Sequence, residues 1–289
     1  MTTSVTVRGA RIRYRQSGDP AGSPVVLLHG IGRSLEDWDP QHERLADGHR
    51  VISADLAGFG LSDPLPGRVS LGSLAEGVRE TLDALGEQRP AHVMGNSLGG
   101  AVAMELLARH PRRVATLTLV NSAGFGQQVT VALRLLTVPL LGRLMLSRAT
   151  PATVRLVERS IFADPAFLTE QRLAHSLAVA AHPGLSPVYR QTAKVLGSVL
   201  GVRRRWRADL LARVAAEPRP TLIGWGDRDL ILPVSHLAAA RAAFPHARSH
   251  LFIGAGHMPQ IERADDFAAL ARALIDAAPA PADHPPRSG

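Results

Sequence analysis

Residues 92–109 read His-Val-Met-Gly-Asn-Ser-Leu-Gly-Gly-Ala-Val-Ala-Met-Glu-Leu-Leu-Ala-Arg. The short run His92 to Met94 predicts a strand, and the Leu, Val and Ala spacing from Leu98 to Arg109 predicts a helix. Between them, Gly95-Asn96-Ser97-Leu98-Gly99 is a G-x-S-x-G pattern in the strand–turn–helix context that presents a serine hydroxyl on a sharp turn. A serine there takes a strained backbone conformation, and the flanking glycines let strand and helix approach without a Cβ clash. The same turn aims the Leu98 N–H, at the start of a helix, toward the oxygen of a reacting carbonyl.

The same alternation extends on both sides. Val5 to Val7, Ile12 to Gln16, Val25 to His29, Val51 to Ala54 and Thr116 to Val120 read as further strands, with a helix over Leu71 to Leu85. From about Gly126 to Trp206 the strand signals vanish, leaving helical spacing broken by Pro139, Pro151, Pro165, Pro183 and Pro187. Strands then return at Thr221 to Trp225 and Ser249 to Phe252, followed by helices over Val234 to Ala243 and Ala264 to Asp276. This order predicts an α/β fold: a mostly parallel, doubly wound sheet of about eight strands with right-handed crossovers. The core spans 1–125 and 207–278, a helical insertion spans 126–206, and the Pro-rich tail 279–289 is expected to be disordered.

A serine hydroxyl is a poor nucleophile near neutral pH, so Ser97 needs a base, and the base needs an orienting acid. The chain order that accompanies such an elbow is Ser, acid, His. His257, in Gly254-Ala255-Gly256-His257, lies just past the last strand, where the glycines can bring an imidazole over the sheet edge. It alone holds that position among twelve histidines. His246 and His250 lack the glutamate of H-E-x-x-H, so no zinc site is expected. Asp227 and Asp229 both follow the strand Thr221 to Trp225 and compete for the acid. Asn121, at the end of the preceding strand, cannot supply a carboxylate. His29-Gly30-Ile31-Gly32 ends another strand, and the Ile31 N–H is the expected second oxyanion donor beside Leu98.

Composition narrows the class further. With 45% hydrophobic and 20% charged residues in 289, the chain can bury a sizeable core. The absence of cysteine excludes disulfides, thiolate metal sites and cysteine nucleophiles. Met1 to Arg8 has no basic-then-apolar leader pattern, so a cytoplasmic location is expected. The apolar stretch Val129 to Leu146 is interrupted by Arg134, Pro139 and Arg143, so it reads as a surface or lid helix rather than a membrane span. The net charge of +8 is localised: between 126 and 206, eleven lysines and arginines face three acids, and the remainder is neutral. No nucleic-acid motif accompanies that charge, and aromatics are few, so nucleic acid is not an expected partner. On the insertion the charge could steer acidic substrates or favour an anionic surface.

Taken together, His29-Gly30-Ile31-Gly32, Asp55-Leu56-Ala57-Gly58-Phe59-Gly60-Leu61-Ser62, Gly95-Asn96-Ser97-Leu98-Gly99-Gly100, Gly226-Asp227-Arg228-Asp229 and Gly256-His257 resemble the α/β-hydrolase superfamily in its motif order, from Val5 to Asp276. The resemblance implies that Asp229 is the triad acid and that 126–206 is a helical cap closing the pocket. It implies a serine hydrolase with no cofactor and no metal, acting through an acyl-enzyme on a small to medium, largely apolar ester or lactone. Carbon–carbon hydrolases of ring-fission dienoates share the elbow and cap, and Arg172 matches their carboxylate-binding cap arginine. Leu173 and Met258 stand where those enzymes often carry Trp. Signalling members that keep the triad as ligand sensors form a third class.

Overall fold

The computed structural model describes residues 2–147 and 150–278. The first half runs β1 (Thr2–Val7), β2 (Ala10–Gly18), β3 (Ser23–Leu28), α1 (Asp39–Leu45), β4 (His49–Ala54), α2 (Leu71–Ala84), β5 (Ala91–Asn96), α3 (Leu98–Arg109) and β6 (Val114–Val120). A largely helical segment follows: α4 (Val131–Leu135), α5 (Pro139–Ser147), α6 (Pro151–Ile161), α7 (Glu170–Ala180), α8 (Leu185–Leu196), β7 (Gly197–Ser198), β8 (Gly201–Val202) and α9 (Arg204–Ala215). The chain then returns to the sheet through β9 (Thr221–Gly226), α10 (Ser235–Ala243), β10 (Arg248–Phe252), α11 (Pro259–Glu262) and α12 (Ala264–Asp276).

Eight strands form one sheet in the order β1-β2-β4-β3-β5-β6-β9-β10. Only the β1–β2 and β2–β4 pairings are antiparallel; the rest are parallel. Period-2 alternation on β3 sends Val26 and Leu28 to one face and Val25 and Leu27 to the other, and all four are buried. The first face packs under α2, α3, α9 and α10, and the second under α1 and α12, so the sheet is covered on both sides. Helix α2 starts at a reciprocal cap, Ser70 Oγ accepting from Ser73 N at 3.0 Å and Ser73 Oγ accepting from Ser70 N at 2.8 Å. Its buried Leu71, Leu74, Ala75, Val78 and Leu82 follow helical spacing.

The expected strands and core helices are present to within a few residues. One expectation fails in detail: the segment read as purely helical contains the antiparallel pair β7–β8, with Gly197 opposite Val202 and Ser198 opposite Gly201. Strands of two residues are too short for side-chain alternation to reveal them. The insertion leaves the sheet after β6 and returns at β9, and α9 already packs against α3. The tail expected to be disordered, 279–289, lies outside the described residues. No helix among the described residues is long and apolar enough to cross a membrane.

Candidate active site

Ser97, Asn121, Asp229 and His257 all follow C-terminal ends of parallel strands, β5, β6, β9 and β10, the edge at which open α/β sheets leave a crevice. Ser97 sits at φ 54° and ψ −116°, a conformation that side-chain-bearing residues rarely adopt. The turn is held by Ser97 N donating to Val120 O at 3.0 Å and by Ala123 N donating to Ser97 O at 3.0 Å. The glycines are required by space. A Cβ on Gly99 would overlap the Leu28 and His29 carbonyl oxygens, and one on Gly95 would overlap the first turn of α3.

His257 Nδ1 lies 2.8 Å from Asp229 Oδ2. An ionised carboxylate only accepts, so Nδ1 carries the proton and Nε2 is left as the basic nitrogen. Asp229 is buried and saturated with donors: Asn121 Nδ2 at 2.6 Å on Oδ2, and the Ile231 and Leu232 N–H groups at 2.7 and 3.0 Å on Oδ1. Asp227 is placed differently, its Oδ1 accepting from Gly254 N at 2.7 Å and tying the β9 and β10 loops together. The structure therefore brings Asp229, and not Asp227, to the imidazole. Asn121 (φ 43°), which cannot itself supply a carboxylate, holds the Asp229 carboxylate in place.

The glycine loop after β3 lies over the elbow: a Cβ on Gly30 would be 3.3 Å from Ser97 Cβ. Leu56 N donates to His29 Nε2 at 2.9 Å, so the proton of this neutral, buried ring is on Nδ1, which donates to Gly30 O at 2.8 Å. Burial lowers the His29 pKa and keeps it neutral despite the pull of Asp55. Because a trans peptide points its C=O and N–H in opposite directions, fixing the Gly30 carbonyl also fixes the Ile31 N–H. Neither that N–H nor the Leu98 N–H has an acceptor among the described residues.

Ser97 and His257 line one cavity of about 450 Å³, together with Ile31, Asn96 and mostly apolar residues of α4, α5, α6 and α8. Tyr189 also lines it, its phenol pushed up to about 12 by burial, against the opposing pull of Arg33. Among the described lining residues the guanidinium is Arg33, and it is occupied. It donates to Asp37 twice at 2.8 Å and to Glu158 of α6, while Ser176 Oγ donates to Glu158 Oε1 at 2.8 Å. Burial works against the charge on Arg33, yet Asp37 and Glu158 hold its pKa well above the ordinary value. Arg172 is not part of the cavity lining. Its Nη1 donates to Asp37 at 3.2 Å and its guanidinium lies 5.0 Å from the Phe162 ring centre.

Two further side chains hold the His257 loop, Asn96 from the elbow and Glu262 from α11, the latter also reaching the insertion, and sequence reasoning missed both roles. Asn96 Nδ2 donates to His257 O at 2.9 Å. Glu262 accepts from Gly256 N and Ala163 N at 2.7 Å each, and from Asp164 N at 3.1 Å. Burial raises its carboxyl pKa against those three bonds. His257 N itself donates to Ile161 O, the end of α6, at 2.7 Å.

Residues 23–264 match the family model described as the alpha/beta hydrolase fold. The chain belongs to this family. Among α/β-hydrolase relatives, it is 36% identical over 259 residues to the dihydrolipoyllysine-residue acetyltransferase component of an acetoin cleaving system from Pseudomonas putida, matching 90% of this chain. The match spans 65% of that relative's length. It is 28% identical over 262 residues to Lipase 1 of Psychrobacter immobilis, covering 90% of this chain and 79% of the lipase. A meta-cleavage product hydrolase from Pseudomonas fluorescens IP01 superposes with a TM-score of 0.78 at 25% identity, covering 95% of this chain and 97% of that one. Among the described residues no cluster of His, Asp and Glu suits a metal ion.

Proposed function

We propose that this α/β-hydrolase cleaves a small to medium, largely apolar carboxylic ester or lactone through an acyl-enzyme on Ser97. The observation that carries the reading is the 2.8 Å Asp229–His257 hydrogen bond behind a serine elbow that opens on an apolar cavity. His257 Nε2 takes the Ser97 proton as Oγ bonds to the acyl carbon, and the Ile31 and Leu98 N–H groups bind the carbonyl oxygen as it gains charge. Each such donor contributes on the order of a hundred- to a thousand-fold in rate. The intermediate collapses as the alkoxy group leaves with the proton from His257; water, deprotonated by the same nitrogen, then releases the acid and restores Ser97. On this reading 126–206 is the cap.

A carbon–carbon hydrolase is the second reading, favoured by the similarity to the meta-cleavage product hydrolase. A dienoate would bring a carboxylate into the cavity, where Arg33 is already neutralised by Asp37 and Glu158. That pairing favours the ester. Turnover of a panel of p-nitrophenyl esters, lactones and ring-fission dienoates, with Ser97→Ala as control, tests the assignment. Sustained ester hydrolysis and fluorophosphonate labelling, both lost in Ser97→Ala, support it. Labelling retained in the variant refutes the nucleophile, and turnover confined to dienoates refutes the substrate class.

A further inference from the structure

The mouth of the cavity is bordered by side chains that water does not favour. Met145, Leu156 and Val157 line the cavity, yet Leu156 is 71% and Val157 54% exposed. Exposed apolar side chains also stand on α4 and α5, which line the same cavity through Leu133 and Leu146: Val131 of α4 is 57% and Leu140 of α5 84% exposed. Scattered leucines on a surface need no explanation, but exposed apolar residues on each of three helices that line one cavity do.

The charge on α4 and α5 has one sign, and beside α6 the exposed Glu170 is taken up by Arg155. No aspartate or glutamate occurs between Glu105 and Glu158. Arg134 (α4), Arg143 (α5) and Arg159 (α6) form no ion pair with any described carboxylate. Leucines flanked by unpaired arginines on short helices match a surface that sinks its apolar side chains below anionic headgroups while the guanidinium groups stay level with the phosphates. A protein partner seated there would plug the cavity, whereas a lipid surface leaves it open to apolar molecules already dissolved in that phase.

We infer that α4, α5 and α6 dock this protein on an anionic lipid surface with the cavity mouth facing the acyl chains. Docking itself requires nothing of the bond cleaved. That the docked mouth admits an apolar ester rests on the reading of Ser97 above.

The test is co-sedimentation of the full chain with vesicles of phosphatidylcholine alone and of phosphatidylcholine mixed with phosphatidylglycerol. Wild type binds the mixed vesicles at least tenfold more tightly, and added salt weakens binding. Leu140→Gln/Arg143→Gln, neither residue lining the cavity, loses about tenfold for the leucine and about fivefold for the arginine. The variant's melting temperature and its turnover of a water-soluble ester stay those of wild type. Three results overturn the inference: no vesicle binding, equal binding to both vesicle types, or undiminished binding by the folded variant. A dimer seen by sedimentation velocity and dissociated by Leu140→Gln overturns it too, by making a second copy the occupant. If vesicle binding holds but no ester is turned over, docking stands and the ester reading alone fails.

Discussion

Glu158→Gln offers a direct measure of how tightly the insertion is tied to the glycine loop. Glu158 occupies the buried stripe of α6 with Val154 and Ile161, where helical spacing calls for an apolar residue, and it is 1% exposed. Its charge completes a set of four: Arg33 and Arg172 against Asp37 and Glu158. Glutamine keeps the shape and an oxygen for Arg33 and Ser176 but removes one negative charge, leaving two guanidinium groups on one carboxylate. Breaking a buried pair in this way costs about 3–5 kcal/mol. The retained acceptor puts Gln near the lower figure, about 3 kcal/mol, and Ala near the upper. For a chain of this size that is a fall of roughly 6 °C in melting temperature. Calorimetry of Glu158→Gln beside Glu170→Gln provides the comparison, because the Glu170–Arg155 pair is open to solvent, with side-chain exposures of 83% and 50%. Glu170→Gln should move the melting temperature by about 1 °C or less. Equal, small shifts in the two variants would refute the claim that the four charges are coupled in a desolvated network.

Asp229→Asn should lower turnover by about four orders of magnitude through the wrong imidazole tautomer, as in the serine-protease precedent, while Asp227→Asn, whose oxygen can still accept from Gly254 N, should stay near wild type in steady-state kinetics. The reverse ranking would move the acid to Asp227. Asn121→Asp would set two carboxylates within 2.6 Å, which cannot both ionise; turnover should fall near neutral pH, and an unchanged pH–rate profile would count against the contact. Stability should fall with acid. Burial lowers His42 to about 3 and His92 to about 4, aided by Arg15 and His49 respectively. Below the unfolded histidine value the unfolded chain binds more protons, so stability present above about pH 6.5 is lost as pH falls toward 4. Urea midpoints across that range should decline, and His92→Leu should flatten the decline; an unaltered slope would remove His92 as a cause.

The legible and illegible parts of this protein divide by range. Ser97, its flanking glycines and the loop at Gly30 could be read because a tight turn states its needs within a few residues. The core helices could be read because burial on one face imposes spacing. The partners of those residues could not. Arg33 meets Glu158 across 125 positions, Arg172 meets Asp37 across 135, and Asn121 meets Asp229 across 108. No local pattern records such pairings, because a carboxylate on a helix stripe looks the same whether it faces water or an arginine. Arg172 is a case in point. Its position suggested a substrate carboxylate, and the carboxylate it meets is the protein's own Asp37.

The bond from His257 N to Ile161 O places the backbone of the imidazole loop on the last turn of α6, and Glu262 straps the same two segments together. A displacement of α6 large enough to widen the entrance must stretch or break those bonds and so pull on the loop that carries His257. The helix that borders the entrance and the loop that carries the imidazole are therefore yoked, and neither can shift without pulling on the other.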